Sequence, residues 1–169
     1  MSGPIIVTAD FHRDDFAWLE GMRRAHYPPD LNRVPVHLTM FHALPPSAID
    51  EAKRQLALMA RELPPRATIA GLMDLGGGVA FRIVSADLDA IREELAEHFH
   101  GMLGVRDAVG WRPHVTIQNK VAPKAARALL GELERTFHPR PLGTAGLSLH
   151  RYLGGPWESL ARYPFRGLS

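Results

Sequence analysis

Two short segments of this chain share one form: His37-Leu38-Thr39-Met40 and His114-Val115-Thr116-Ile117 each run His, apolar, Thr, apolar. Side chains alternate faces along a strand, so in each segment the imidazole and the hydroxyl point one way and the apolar pair the other. Two such strands facing each other bring two imidazoles and two hydroxyls to one site. With an unperturbed pKa of about 6.5, one ring can take a proton from water or an alcohol while the other gives one to a leaving oxygen. The threonine hydroxyls, one strand step away, can donate to non-bridging phosphoryl oxygens and hold the group in line. This is acid–base phosphoryl chemistry, and it needs no metal or cofactor in principle. The two motifs are symmetric as to which ring is the base; we read His114 as base and His37 as acid.

Composition expects about 0.15 such quartets, so two by accident is roughly a one-in-a-hundred event. The spacing adds a second argument. The 77-residue shift that lays His37 on His114 also lays Val7-Thr8-Ala9-Asp10 on Val84-Ser85-Ala86-Asp87, with no gap between the two matches. A two-unit internal repeat accounts for both, within one domain spanning 1–169 and divided near 1–77 and 78–169.

The elements that must position these residues follow from local patterns. Residues 36–44 and 114–121 read as the motif strands. Ahead of the first, 4–9 is an apolar strand and Asp10 caps a helix to about residue 25, with Phe11, Trp18, Met22 and Ala25 on one stripe. Pro45-Pro46-Ser47 starts a second helix bearing Ile49, Ala52, Leu56 and Leu63; Pro64-Pro65 stops it, and 68–75 is a strand. Gly76-Gly77-Gly78 turns into strand 79–85; it opens no helix and lacks a following Lys-Ser/Thr, so it is not a phosphate loop. Asp87 caps a third helix carrying Leu88, Ile91, Leu95, Phe99 and Met102. A fourth helix covers about 124–137, and strands 147–153 and 157–165 close the chain around Gly154-Gly155-Pro156. The expected fold is α+β and bilobal: duplicated β-α-β-α-β units with pseudo-twofold symmetry, antiparallel-rich sheets around a central cleft, and helices outside.

The chain has 169 residues, 46% of them hydrophobic, enough for one domain with a real core. It has no cysteine, which excludes disulfides, thiolate nucleophiles and zinc ribbons. No apolar run reaches the roughly 20 residues of a membrane span and the N-terminus is not that of a signal peptide, so a cytoplasmic protein is expected, with a monomer as the default state. The net charge is only +2 although the pI is about 9.3, and arginines far outnumber lysines. That balance suits bidentate phosphate contact with a small ligand or an RNA end rather than duplex DNA.

The two His-x-Thr-apolar motifs, their symmetric layout and the context Trp111-Arg112-Pro113-His114-Val115-Thr116-Ile117 resemble the 2H phosphoesterase superfamily, and within it the bacterial 2′-5′ RNA ligase-like, or RNA 2′,3′-cyclic phosphodiesterase, branch. The resemblance spans essentially the whole chain. It implies hydrolysis of a 2′,3′-cyclic phosphate on an RNA 3′ end or nucleotide to a 2′-phosphate, with His37 and His114 catalytic and Thr39 and Thr116 holding the phosphate. It also leads one to expect a basic residue shortly after the second motif. Gln118-Asn119-Lys120 stands there, and strict alternation puts Lys120 on the face of His114 and Thr116.

Further phosphate or substrate contacts are expected from Arg112, Arg82, His150 and Tyr152. Ser148, His150 and Tyr152 alternate with Leu147 and Leu149, and Arg82 with Phe81 and Ile83, which places them on the cleft side. By the same alternation His42 falls on the face opposite His37, a core or edge position. His12, His26, His98, His100 and His138 read as surface; Phe41 and Trp157 read as packing rather than base-stacking residues. Two other functions compete. A non-catalytic nucleotide or RNA-end binder retaining the cleft has no need of both imidazoles. A metal hydrolase using His37, His114 and His150 lacks a paired Asp or Glu at ligand spacing.

Overall fold

The computed structural model of the chain describes residues 3–167. β1 (Ile5–Phe11) is buried along almost its whole length and leads into α1 (Arg13–His26). Asp14 and Asp15 in the first turn of α1 and Arg23, Arg24 and His26 in its last turn complement the helix dipole. β2 (Leu38–Leu44), a single 3₁₀ turn (Pro46–Ala48), α2 (Ile49–Met59) and β3 (Arg66–Asp74) complete the first half. The second half runs β4 (Val79–Val84), α3 (Ala86–His98), the one-turn α4 (Val105–Ala108), β5 (His114–Gln118), α5 (Pro123–Thr136), β6 (Arg140–Tyr152) and β7 (Trp157–Pro164). The fold is α+β, as its sequence pattern implies.

All seven strands join one open antiparallel sheet in the order β2-β1-β6-β3-β4-β5, with β7 added to β6. The 13-residue β6 is the hinge of the design. Its start, Arg140 to Gly143, pairs with β3, and its later part pairs with β1 and β7. The third strand of each half is thereby exchanged: β3 lies beside β4, and β6 reaches back to β1. The spatial halves therefore differ from the sequence halves 1–77 and 78–169. Both motif strands, β2 and β5, stand at the ends of the strand order, and the sheet curls until they touch.

Helices cover the other face, and the core lies between the two layers. Leu19 of α1, Leu56 of α2 and Leu88 and Leu95 of α3 are fully buried with Ile5, Phe41, Ile69, Phe81 and Ile117 of the sheet. Each such side chain contributes about 2 kcal/mol of transfer free energy. No helix among the described residues is long and apolar enough to cross a membrane.

Several local expectations are corrected. Asp10 caps nothing: it lies within β1, where its carboxylate accepts the Ser148 hydroxyl at 2.7 and 2.8 Å. Ala25 is exposed, and the inner stripe of α1 is Leu19 and Arg23 flanked by Trp18 and Met22. α3 is capped by Ser85, whose hydroxyl accepts the Leu88 N–H at 3.0 Å, while Asp87 accepts the Arg66 N–H instead. Residues 7–10 thus lie inside a strand while 84–87 pass from strand end into helix. That tetrapeptide match does not join equivalent positions. α2 ends at Met59, before the proline pair, and leaves Leu63 exposed, as Met102 is beyond α3. β6 begins at Arg140 rather than 147, its early part disguised by Pro141, Gly143 and Gly146.

Candidate active site

Each motif strand carries a β-bulge at the same place. In the β1–β2 ladder Val7 faces Phe41 and Thr8 faces Thr39, so Met40 is the extra residue. In the β4–β5 ladder Val79 faces Gln118 and Ala80 faces Thr116, so Ile117 is the extra residue. A bulge puts two residues of one strand against one of the other and resets which face the next side chain takes. Met40 and Phe41 are both buried, and so are Ile117 and Gln118. The chain then returns to the cleft one position late, at His42 and at Asn119.

Those resets settle which residues meet. One cavity of about 470 Å³ is lined by His37, Thr39, His114 and Thr116, together with His42, Asn119, Arg106 and Trp157. A second cavity of about 850 Å³ adjoins it, sharing His37 and Trp157 and continuing along Phe11, Phe16, Val36 and Asp10. Trp157 stands between them, its ring 4.5 Å from that of His37 and 5.2 Å from that of His150.

The two motif histidines are held alike. His37 Nδ1–H donates to the carbonyl of Pro35 at 2.8 Å, and His114 Nδ1–H donates to the carbonyl of Arg112 at 2.8 Å. A carbonyl can only accept, so both rings carry a proton on Nδ1, and Nε2 is the nitrogen left without a protein partner. The bulged backbone is braced by buried donors from the opposite half. Arg23 of α1 donates to the carbonyl of Thr116 at 3.0 Å. Arg92 of α3 donates to the carbonyl of Met40 at 2.7 Å and to that of Asp107 at 2.8 Å. Trp111 Nε1–H donates to the carbonyl of Thr39 at 2.9 Å. Carbonyls of the two end strands thereby gain side-chain donors.

Electrostatics separates the two rings. Burial is the main force that lowers the His37 pKa, to about 4, and the positive charge of Arg23 and the neighbouring His150 and His114 push the same way against the Pro35 carbonyl. His37 is therefore neutral at physiological pH. Burial also lowers His150, opposed by Asp10. Burial alone would raise Asp107, but the His42 side chain and the backbone N–H groups of His42 and Ala43 outweigh it and hold its carboxyl below the usual range.

The other expected contacts divide. His150 lines the larger cavity together with His37, its Nε2 3.0 Å from Thr8 Oγ1, and does not line the smaller one. The three histidines of the metal reading do not converge, and among the described residues no group of three or more His, Asp or Glu could hold a metal. Arg82 lies directly across from His114 on the cleft face, but its guanidinium folds back over Gly71 toward the Ala70 carbonyl at 3.4 Å. Arg112 is exposed and contributes its carbonyl, not its charge. Tyr152 is exposed at the end of β6, opposite Trp157, and lines neither cavity. Lys120 lies beyond the end of β5 at φ 63°, exposed and outside both cavities. The bulge at Ile117 gives its expected place to Asn119. His42, assigned to the opposite face, is likewise a cleft residue. Phe41 is core, as expected, whereas Trp157 is the wall between the cavities. Arg106, on α4, had no sequence signal because α4 itself had none.

A model of the 2′-5′ RNA ligase superfamily matches residues 11–156. No curated protein matches the chain by sequence. Among solved structures, TT0787 of Thermus thermophilus is 19% identical, with all of both chains covered and a TM-score of 0.67. E. coli LigT complexed with NADP+ is 19% identical over 98% of this chain and 99% of that one, with a TM-score of 0.59. LigT complexed with 3′-AMP is 16% identical over the same shares, with a TM-score of 0.54. At these identities the likeness is one of fold.

Proposed function

The chain belongs to the 2′-5′ RNA ligase superfamily of 2H phosphoesterases, and from that premise we propose that it hydrolyses 2′,3′-cyclic phosphates of RNA ends or nucleotides to 2′-phosphates without a metal. The observation that carries the reading is the matched pair of imidazoles, each fixed through Nδ1 to the carbonyl two residues upstream and each accompanied by a threonine in one cavity. LigT, which shares the fold, has been crystallised with 3′-AMP and with NADP+, which supports a nucleotide-like ligand.

His37, kept neutral by its surroundings, is the base; this reverses the assignment read from sequence. Its Nε2 takes a proton from water as the water oxygen bonds to phosphorus. The P–O3′ bond breaks, and His114 Nε2–H gives its proton to the departing 3′ oxygen. Thr39 and Thr116 donate to the non-bridging oxygens as charge builds on them. The proton gained by His37 and the one lost by His114 then exchange with solvent. An RNA 5′-hydroxyl in place of water gives a 2′,5′ linkage by the same transfers, which is the ligase direction.

The test is turnover of a nucleoside 2′,3′-cyclic monophosphate and of a cyclic-phosphate-ended oligonucleotide, with chelator present. His37→Ala and His114→Ala are each expected to lower kcat at least about 10²-fold while circular dichroism stays native. Activity that survives in both variants refutes the pair, and activity lost to chelator refutes the metal-free step.

A further inference from the structure

The repeated unit is longer than the four-residue motif. Each bulge returns the chain to the cleft five residues after the histidine, so the lining positions are His37, Thr39 and His42 on one strand and His114, Thr116 and Asn119 on the other. The third tier lies on the side of the threonines away from the catalytic histidines, and its chemistry is distinctive. His42 Nδ1–H donates to Asp107 Oδ1 at 3.0 Å, and the same carboxylate accepts the backbone N–H of His42 at 2.8 Å and of Ala43 at 2.9 Å. The Asp107 side chain is only 1% exposed, and Arg92 ties its backbone to β2. A buried carboxylate on Nδ1 fixes the ring and leaves Nε2 without a protein partner on the cavity side.

Two further donors share this end. Asn119 Oδ1 accepts the Lys120 N–H at 2.9 Å, which leaves its amide NH₂ to donate. Arg106, next to Asp107 on α4, brings an exposed guanidinium to the same cavity. Among the described residues no carboxylate lines it, whereas Asp10 and Asp14 line the larger one. An exposed guanidinium, an amide NH₂ and an imidazole fixed by a buried carboxylate describe an anion site beyond the position of the reacting phosphate.

We infer that His42, Arg106 and Asn119 form a second phosphate subsite, so that the protein takes nucleotides or RNA ends with a second phosphoryl group beside the 2′,3′-cyclic one. The 5′-phosphate of the same nucleotide, free or linked to the next, is the group of that description. Asp107 is a positioning residue acting through His42. The inference rests on the reading of the cleft as a phosphodiesterase site, and binding separates the two.

Calorimetry of the full chain with adenosine 2′-monophosphate and adenosine 2′,5′-bisphosphate, at fixed ionic strength, is expected to show at least about tenfold tighter binding of the bisphosphate. Arg106→Ala and His42→Ala should each cut that ratio to about threefold or less. Arg106 is exposed and its loss leaves the core intact, so a misfolded His42 variant does not remove the test. Equal affinities in the wild type, or a preference unchanged in both variants, overturn the subsite. Bisphosphate preference without turnover of any cyclic phosphate supports the subsite and refutes the phosphodiesterase; turnover of cyclic phosphates indifferent to a 5′-phosphate does the reverse.

Discussion

The pH profile of Trp157→Ala tests the assignment of His37 as base. Trp157 packs 4.5 Å from the His37 ring and lines both cavities, so it belongs to the surroundings whose burial of the ring lowers His37 to about 4. The free enzyme's acid limb in kcat/KM reports the base, which must be neutral to work. With a pKa of about 4, roughly nine tenths of the base is neutral at pH 5; at the unperturbed 6.5 only about 3% is, a thirtyfold difference. Wild-type kcat/KM should therefore lose almost nothing to protonation of the base down to pH 5, and its acid limb should break near 4. Removing the indole lets water reach the imidazole, and an upward shift of about one unit already halves the relative rate at pH 5. Stacking of substrate on Trp157 changes the height of the curve, not its shape, so the comparison is of limbs. An NMR titration of His37 Cε1–H gives the same pKa without turnover. A wild-type limb near 6.5, or a variant limb that stays near 4 while the NMR pKa rises, refutes His37 as the base.

Two stability predictions accompany it. Arg92→Met leaves the carbonyls of Met40 and Asp107 without their donor and removes the guanidinium lying 4.0 Å over Phe41, so denaturant unfolding should show a loss of roughly 2–4 kcal/mol; a change below about 0.5 kcal/mol would mean that solvent replaces the contacts. Gln118 Oε1 is buried without a partner beside the second bulge, so Gln118→Met should stabilise the fold by about 1 kcal/mol, and a lower melting temperature would contradict that.

The motif pair was legible because it lives in residue types and in spacing, and spacing survives any uncertainty about strand ends. What failed was the face of the residues that follow. Strict alternation from His37 sends His42 to the core, and from His114 it sends Lys120 to the cleft and Asn119 away from it. Nothing in Met40-Phe41 or Ile117-Gln118 announces a bulge, because two consecutive buried residues also occur in an unbroken strand packed on both faces. The exchange of β3 and β6 was equally hidden: antiparallel pairing with a sequence neighbour or with the other half calls for the same alternation. The caps went astray for a more local reason. Asp10 and Asp87 precede amphipathic runs, as caps do, but strand pairing held Asp10 in β1, and Ser85 stood two residues before Asp87 with its hydroxyl already in reach of Leu88 N–H.

The bulges and the buried arginines are two parts of one device. The end strands of a sheet carry carbonyls on the side that has no neighbouring strand to pair them. Arg23 pairs the one at Thr116 and Arg92 the one at Met40, so the helix after β1 braces the motif strand of the second half and the helix after β4 braces that of the first. The threonines and the residues three positions on therefore keep their aim only while both halves are docked. The exchange of β3 and β6 acts in the same sense, since neither sequence half can complete its own sheet. The site is thus a property of the joined pair, and the symmetry of its scaffold leaves the differences between its sides, neutral His37 against His114 and braced His42 against Asn119, to decide the direction in which protons and substrate enter.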